Sequence, residues 1–360
     1  VNEPTHTSPL QPGNTATVRT VLGDVPADAL GVTLVHEHLY CDITGLMPEH
    51  EMAGRPPLRD LLVAETPKSV LDRDPLASRD NCILDDEADA LAELALFGAA
   101  GGGTVVDCTS IGLGRDVAAL ARIAAASNVH VVAPTGLYLW HTTADFIGER
   151  DAAALAEWMI KEIEQGIDGT DVRAGVIGEI GTSTELHDLE IRALTAAGIA
   201  HAQTGVAVSV HLDQEGRQGH RVIDLLTSLG VDPRRIVIGH LDQRHDRAVD
   251  YVLELAREGV RLGFDTWGTT FAYDSWGSDD PTDSERIRLL AEVVDAGYGS
   301  QVVMSHDMGL KSMMRKYGGG GLAHLPGTLW PTMVDRGISA DLFGTFFVDN
   351  PRRWLSGSDT

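Results

Sequence analysis

The chain is short of basic residues, cysteine and long apolar runs, and each shortage closes off a class of function. Against 53 acidic side chains stand 28 basic ones, a formal net charge of −25. Such a surface repels phosphate backbones and anionic lipid, so no nucleic-acid partner and no membrane partner is expected. The three cysteines, Cys41, Cys82 and Cys108, form no CxxC pair. An odd, small number in a long chain argues against a disulfide framework, and the spacing argues against a thiolate zinc site. No segment approaches the roughly 18 apolar residues that would span a bilayer. The first residues, VNEPTHTSPLQPGN, carry no basic or apolar run and do not read as a signal peptide. A cytoplasmic protein is therefore expected. No GxGxxG follows the first candidate strand, which argues against dinucleotide binding.

What is present is a regular alternation. Residues 1–16 are polar and read as a loose arm, leaving 17–360 as one domain. Eight Val- and Ile-rich runs then recur, at 32–38, 104–110, 130–138, 174–181, 206–212, 236–241, 260–266 and 301–307. Helical patterns fall between them at 85–99, 115–127, 151–165, 185–204, 218–229, 246–258 and 284–296. Several are followed by glycine, as helix C-termini require. Strand–helix alternation repeated eight times predicts a parallel sheet closed into an α/β (β/α)8 TIM barrel. The long segments 39–84 and 267–283 would then be loops on the C-terminal face, where barrel enzymes do their chemistry. The run Gly318–Gly321 lacks a following GK[ST] and is no phosphate loop.

The chemistry-bearing residues sit at the ends of these strands. Residues two apart share a face of a strand, so His36 and His38 point the same way and Glu37 the other. An HxH alone is weak evidence. Glu179 late in the fourth strand, His211 in the fifth, His240 in the sixth and Asp307 closing the eighth repeat the coincidence. Six metal-competent side chains at one rim predict a metal centre. Four imidazoles and two carboxylates suffice for two divalent ions if one carboxylate bridges. Zinc suits these ligands first, and manganese, cobalt and iron are also tolerated. Two such ions would lower the pKa of a shared water so that a metal-bound hydroxide attacks near neutral pH, with Asp307 as proton acceptor. Other candidates read as structural: His306 faces away from its neighbour Asp307, His130 begins a strand far from the rim, His201 and His220 lie on helices, and Cys108 is a small core residue. Tyr138, Trp267 and Arg244 follow strands and are candidate substrate-pocket residues, Arg244 as a clamp for a carboxylate or sulfonate.

At these residues the chain resembles the phosphotriesterase family of the amidohydrolase superfamily, in its phosphotriesterase-related branch. The likeness runs from about residue 18 to 355 and is carried by TLVHEHL, AGVIGEIG, VSVHLD, VIGHLD, GFDTWG, MSHDMG and NPRRWL. It implies that His36, His38 and Asp307 hold a buried metal, that His211 and His240 hold a more exposed one, and that Glu179 bridges them. It also implies a homodimer. Phosphotriesterases and their lactonase relatives bridge with a carboxylated lysine. None of the four lysines here, Lys68, Lys161, Lys311 and Lys316, lies on the fourth strand. The Asp and His of the phosphotriesterase proton relay are replaced by Gln243 and Thr266, neither of which shuttles a proton at neutral pH. The resemblance thus implies hydrolysis of a small carboxylic ester, lactone or N-acyl amide. Phosphotriester hydrolysis ranks second, and a metal-containing binding protein without turnover third.

Overall fold

The computed structural model describes residues 16–49, 57–243 and 249–358. Eight strands form the barrel: β1 Val32–Glu37, β2 Gly102–Asp107, β3 His130–Val132 with its continuation Pro134–Thr135, β4 Val176–Gly181, β5 Val208–His211, β6 Ile236–Ile238, β7 Arg261–Phe264 and β8 Val302–Met304. All neighbouring pairs from β1 to β8 run parallel. The ring closes where the Asp307 N–H donates to the His36 carbonyl at 3.1 Å and the His36 N–H donates to the Ser305 hydroxyl at 2.9 Å. The expected TIM barrel is present.

Local chemistry starts the helices where the sequence pattern places them. Asp86, Asp116 and Asp151 each accept a backbone N–H at 2.8 Å from the first turn of Glu87–Ala99, Val117–Ala126 and Ala152–Glu164. Thr282 and Glu285 form a reciprocal capping box on Asp283–Asp295. Asp188–Thr204 ends on Gly205 at φ 70°, a left-handed position that glycine reaches without a Cβ penalty. The helix expected at 246–258 is described from Val249, because its first residues lie outside the described ones. Trp140–Ile147 is an additional helix that the sequence pattern did not single out.

Two apolar clusters hold the barrel. The larger packs helices against the outside of the strands. The smaller gathers Val35, Val106, Val132, Val176, Val237 and Val303, from six of the strands, with Leu30 and Trp354. This is the floor of the barrel interior. Trp354, on the closing helix Asn350–Ser356, is fully buried there and donates its indole N–H to the Arg235 carbonyl at 3.1 Å.

Above the opposite end lie the two long loops. They are joined across about two hundred residues of sequence: the Ala272 N–H donates to the Asp72 carbonyl at 2.8 Å, the Asp274 N–H to the Arg73 carbonyl at 3.1 Å, and the Arg73 guanidinium grips Asp274 bidentately at 2.7 and 2.9 Å. Together they roof the mouth.

Candidate metal centre

The strands are shorter than the hydrophobic runs because their ends bend. His240, expected within the sixth strand, and Asp307, expected to close the eighth, lie beyond the last paired residues with φ of 60° and 55°. Left-handed backbone is costly for residues with a Cβ and clusters at functional sites. Here it turns both side chains towards the barrel axis. In β1 the register shifts between Leu34 and Glu37, so strict alternation does not carry through the pair His36 and His38.

All six expected residues meet at the mouth. Glu179 lies at the centre. Its Oε2 is 3.3 Å from His36 Nε2, 3.1 Å from His211 Nδ1 and 3.8 Å from His240 Nε2, while its Oε1 is 3.5 Å from His38 Nε2. Asp307 Oδ1 lies 3.1 Å from His38 Nε2 and 3.6 Å from His36 Nε2. His211 Nδ1 and His240 Nε2 are 2.8 Å apart. Two overlapping groups, His36–His38–Asp307 and His36–Glu179–His240, bring their ligand atoms within 4.8 Å of one another.

A layer of carboxylates that sequence reasoning did not single out orients these side chains. Asp265, fully buried just past β7, faces His36 Nδ1 through Oδ2 at 3.1 Å and His240 Nδ1 through Oδ1 at 3.1 Å. It also accepts the His240 backbone N–H at 2.7 Å. His38 Nδ1 meets the Thr109 hydroxyl at 2.9 Å, and Asp107 fixes that turn by accepting the Leu39 and Thr109 N–H groups. Glu37, on the far side of β1, accepts from Ser305, from the His306 ring and backbone, and from Met308 N–H. Sequence offered one signal for Asp265: a carboxylate at the end of a strand, next to Thr266.

This layer tests whether a cation fits. An ionised carboxylate only accepts, so the Nδ1 of His36 must be its protonated nitrogen. In the neutral ring Nε2 then carries only a lone pair. That atom is buried without a hydrogen-bond partner and faces a Glu179 oxygen, another acceptor. Two acceptors held together in a dry site need a positive charge between them. Without a metal, protons take that place. Burial opposes charge on His240, yet the Asp265 carboxylate outweighs it and raises the imidazole to about 10; His36 is likewise raised, with Glu179 and Asp307 contributing. Conversely burial alone would raise Glu179, and the charge of His36 with hydrogen bonds from His211 and His240 holds it well below the carboxylate range. The residues present therefore fit divalent cations.

The site opens into a cavity of about 750 Å³. Tyr138 lines it, buried, with its hydroxyl 3.3 Å from His211 Nδ1. Gln243 and Thr266 line it as well. Trp267 does not: it is fully buried and faces a small separate hollow beside Gly268 and His324. The turn after β7 directs Thr266 towards the cavity and leaves Trp267 to pack. Arg244 lies outside the described residues. His306 is held on both ring nitrogens, by Glu37 at 2.7 Å and by the Leu325 N–H at 3.1 Å, which leaves no lone pair for a metal. His201 and His220 are bonded locally, to the Val206 carbonyl and to Glu258, and Cys108 is buried.

Comparison with known proteins agrees with this geometry. The phosphotriesterase family model matches residues 16–355. N-acetyltaurine hydrolase of Mus musculus is 35% identical over 351 residues, covering 94% of this chain and 97% of that protein. The crystal structure of a resiniferatoxin-binding protein from Rhodobacter sphaeroides superposes with a TM-score of 0.92 at 35% identity, covering 96% of each chain. That of the phosphotriesterase homology protein from Escherichia coli, complexed with phosphate in its active site, gives 0.76 at 30% identity, covering 91% of this chain and 99% of that one. With its barrel, its ring of imidazoles and its buried glutamate, the chain belongs to the phosphotriesterase family.

Proposed function

We propose that the protein is a binuclear metal-dependent hydrolase that cleaves a small carboxylic ester, lactone or N-acyl amide. The observation that carries this reading is the unpartnered Nε2 of His36 facing Glu179 inside a ring of imidazoles. His36, His38 and Asp307 would hold one divalent ion and His211 and His240 the other, with Glu179 between them. Zinc is the proposed metal, since neutral imidazoles and carboxylates are its usual ligands. Bound there, the pair would supply the acidity that makes water a nucleophile near neutral pH and the charge that polarises a carbonyl.

The chain's own residues do the rest. Asp265 holds the rings of His36 and His240 in the tautomer that turns Nε2 to the centre. Asp307, partly open to the cavity, accepts the proton of the attacking water and passes it to the departing alcohol or amine. The phenol of Tyr138 is kept protonated by burial and stands at the carbonyl's approach as a donor. The N-acetyltaurine hydrolase name of the relatives accords with amide cleavage. Phosphotriester cleavage is the second reading. It is disfavoured because the cavity presents Gln243 and Thr266, neither of which titrates near neutrality.

Among the described residues no helix is long and apolar enough to cross a membrane. A cytoplasmic homodimer, with residues 17–360 as one hydrolase domain, completes the proposal. The test is to measure metal content and hydrolysis of a panel of lactones, N-acyl amides, aryl esters and organophosphates before and after chelation, and for His211→Ala. Activity should vanish on chelation and return with metal. Full activity in the chelated protein or in the variant overturns the reading, and paraoxon turnover rivalling that of the carboxylic substrates reverses the ranking.

A further inference from the structure

The walls of the cavity beyond the metal ligands have a definite character. On one side stand Phe271, Tyr273 and Trp276, from the roof after β7. Tyr273 and Trp276 stack with ring centroids 5.6 Å apart and planes 10° apart, and Trp276 is 54% exposed. Around them the lining carries the carboxylates of Asp213, Glu215, Asp279 and Asp280. Among the described residues the lining contains no lysine or arginine. Behind this wall the buried Arg286 is already engaged: it donates to the Thr269 carbonyl at 2.7 Å and hydroxyl at 2.9 Å, and its guanidinium lies 3.3 Å from Asp283 and 3.6 Å from Asp242. Among the described residues, a substrate tail that reaches out from the scissile bond meets aromatic faces and negative charge. Aromatic faces attract apolar rings and cations, and carboxylates repel anions.

Resting on the hydrolase reading above, we propose that this site selects esters and amides whose tail is uncharged or cationic and preferably aromatic, and that it discriminates against tails bearing a carboxylate or sulfonate. This separates the chain from relatives named for N-acetyltaurine, whose substrate carries a sulfonate. Asp213, Glu215 and Asp279 set the charge preference, and Tyr273 with Trp276 forms the platform.

The test uses the full-length, metal-reconstituted protein and matched pairs: 4-ethylphenyl acetate against 4-(carboxymethyl)phenyl acetate, and N-acetylphenethylamine against N-acetylphenylalanine. The neutral member should have the higher kcat/KM by roughly tenfold at low salt, as expected for a few unit charges acting through water at about 10 Å, and the gap should narrow as salt rises. Glu215→Lys with Asp279→Lys should shrink the ratio by about threefold or more. Trp276→Ala should lower kcat/KM for the aryl ester about fivefold, and by less for methyl acetate. Preference for the anionic member, an unchanged ratio in the charge-reversed variant, or selective loss of anion turnover in Arg244→Ala overturns the proposal. If no member of any pair is hydrolysed, the hydrolase reading fails by itself. Isothermal titration of the same pairs then decides the charge preference, with tighter binding of the anion counting against it.

Discussion

Replacing Asp265 by asparagine tests the design of the centre at one atom. The carboxylate faces the Nδ1 of His36 and of His240, each at 3.1 Å, and under the proposed function these two rings would serve different metal positions. Asparagine keeps the shape and one acceptor oxygen. Its amide nitrogen is a donor, so one of the two imidazoles must meet a donor with its own N–H, rotate, or change tautomer and lose the lone pair aimed at the metal. Loss of such an outer partner weakens metal binding by about 10–100-fold per ligand, or about 1.4–2.7 kcal/mol. Since only one face of the substituted amide is mismatched, the expected loss is of that size for one metal and smaller for the second. The alanine variant loses both faces and should approach the product of the two factors. Metal affinity is read by competition with a graded series of chelators, metal content by elemental analysis, and folding by circular dichroism. A folded Asp265→Asn protein that retains both metals with unchanged affinity would refute the argument that this carboxylate sets the tautomers.

Three further outcomes follow from other parts of the molecule. Asp307→Asn keeps an oxygen ligand but cannot take up a proton, so kcat should fall by about 10²–10⁴-fold with metal partly retained, measured by steady-state kinetics beside metal analysis. His201 is held below its ordinary pKa by burial, although its Nδ1 donates to the Val206 carbonyl at 2.7 Å. Its folded value lies below its unfolded one, so the unfolded chain takes up the proton first on acidification. The contribution to stability is complete above about pH 6.5 and declines as pH falls from there towards the folded value. Denaturation midpoints of the wild type and His201→Gln across pH 5–8 should show a flatter acid limb in the variant. Trp354→Ala removes the largest side chain from the barrel floor and should destabilise the fold by about 3–5 kcal/mol in denaturant titration, with metal content intact in the folded fraction.

How much of this was legible in the sequence varies with the range of the interaction responsible. The barrel followed from local signals, because the β/α period and the helix caps are written within a few residues of each other. The meeting of the six candidate residues followed from strand ends, because an imidazole or carboxylate at a rim is rare enough for repetition to mean something. Asp265 was hidden: a lone aspartate near a strand end has many ordinary explanations, and only the folded ring shows it spanning His36 and His240. Trp267 was misplaced because the strand ends two residues earlier than its hydrophobic run and the chain turns before Trp267. Tyr273 and Trp276 could not be read at all, since the positions of loop residues depend on what the loop docks against.

That docking has its own implication. Because main-chain bonds and the Arg73–Asp274 pair splice two distant loops into a single canopy, neither is free to diversify alone. Grafting one loop from a relative would leave unmatched partners on the other and disturb every residue hanging beneath. New specificities in this scaffold should therefore arise by paired exchange of both segments, and a library that randomises only one will return mostly unstable proteins.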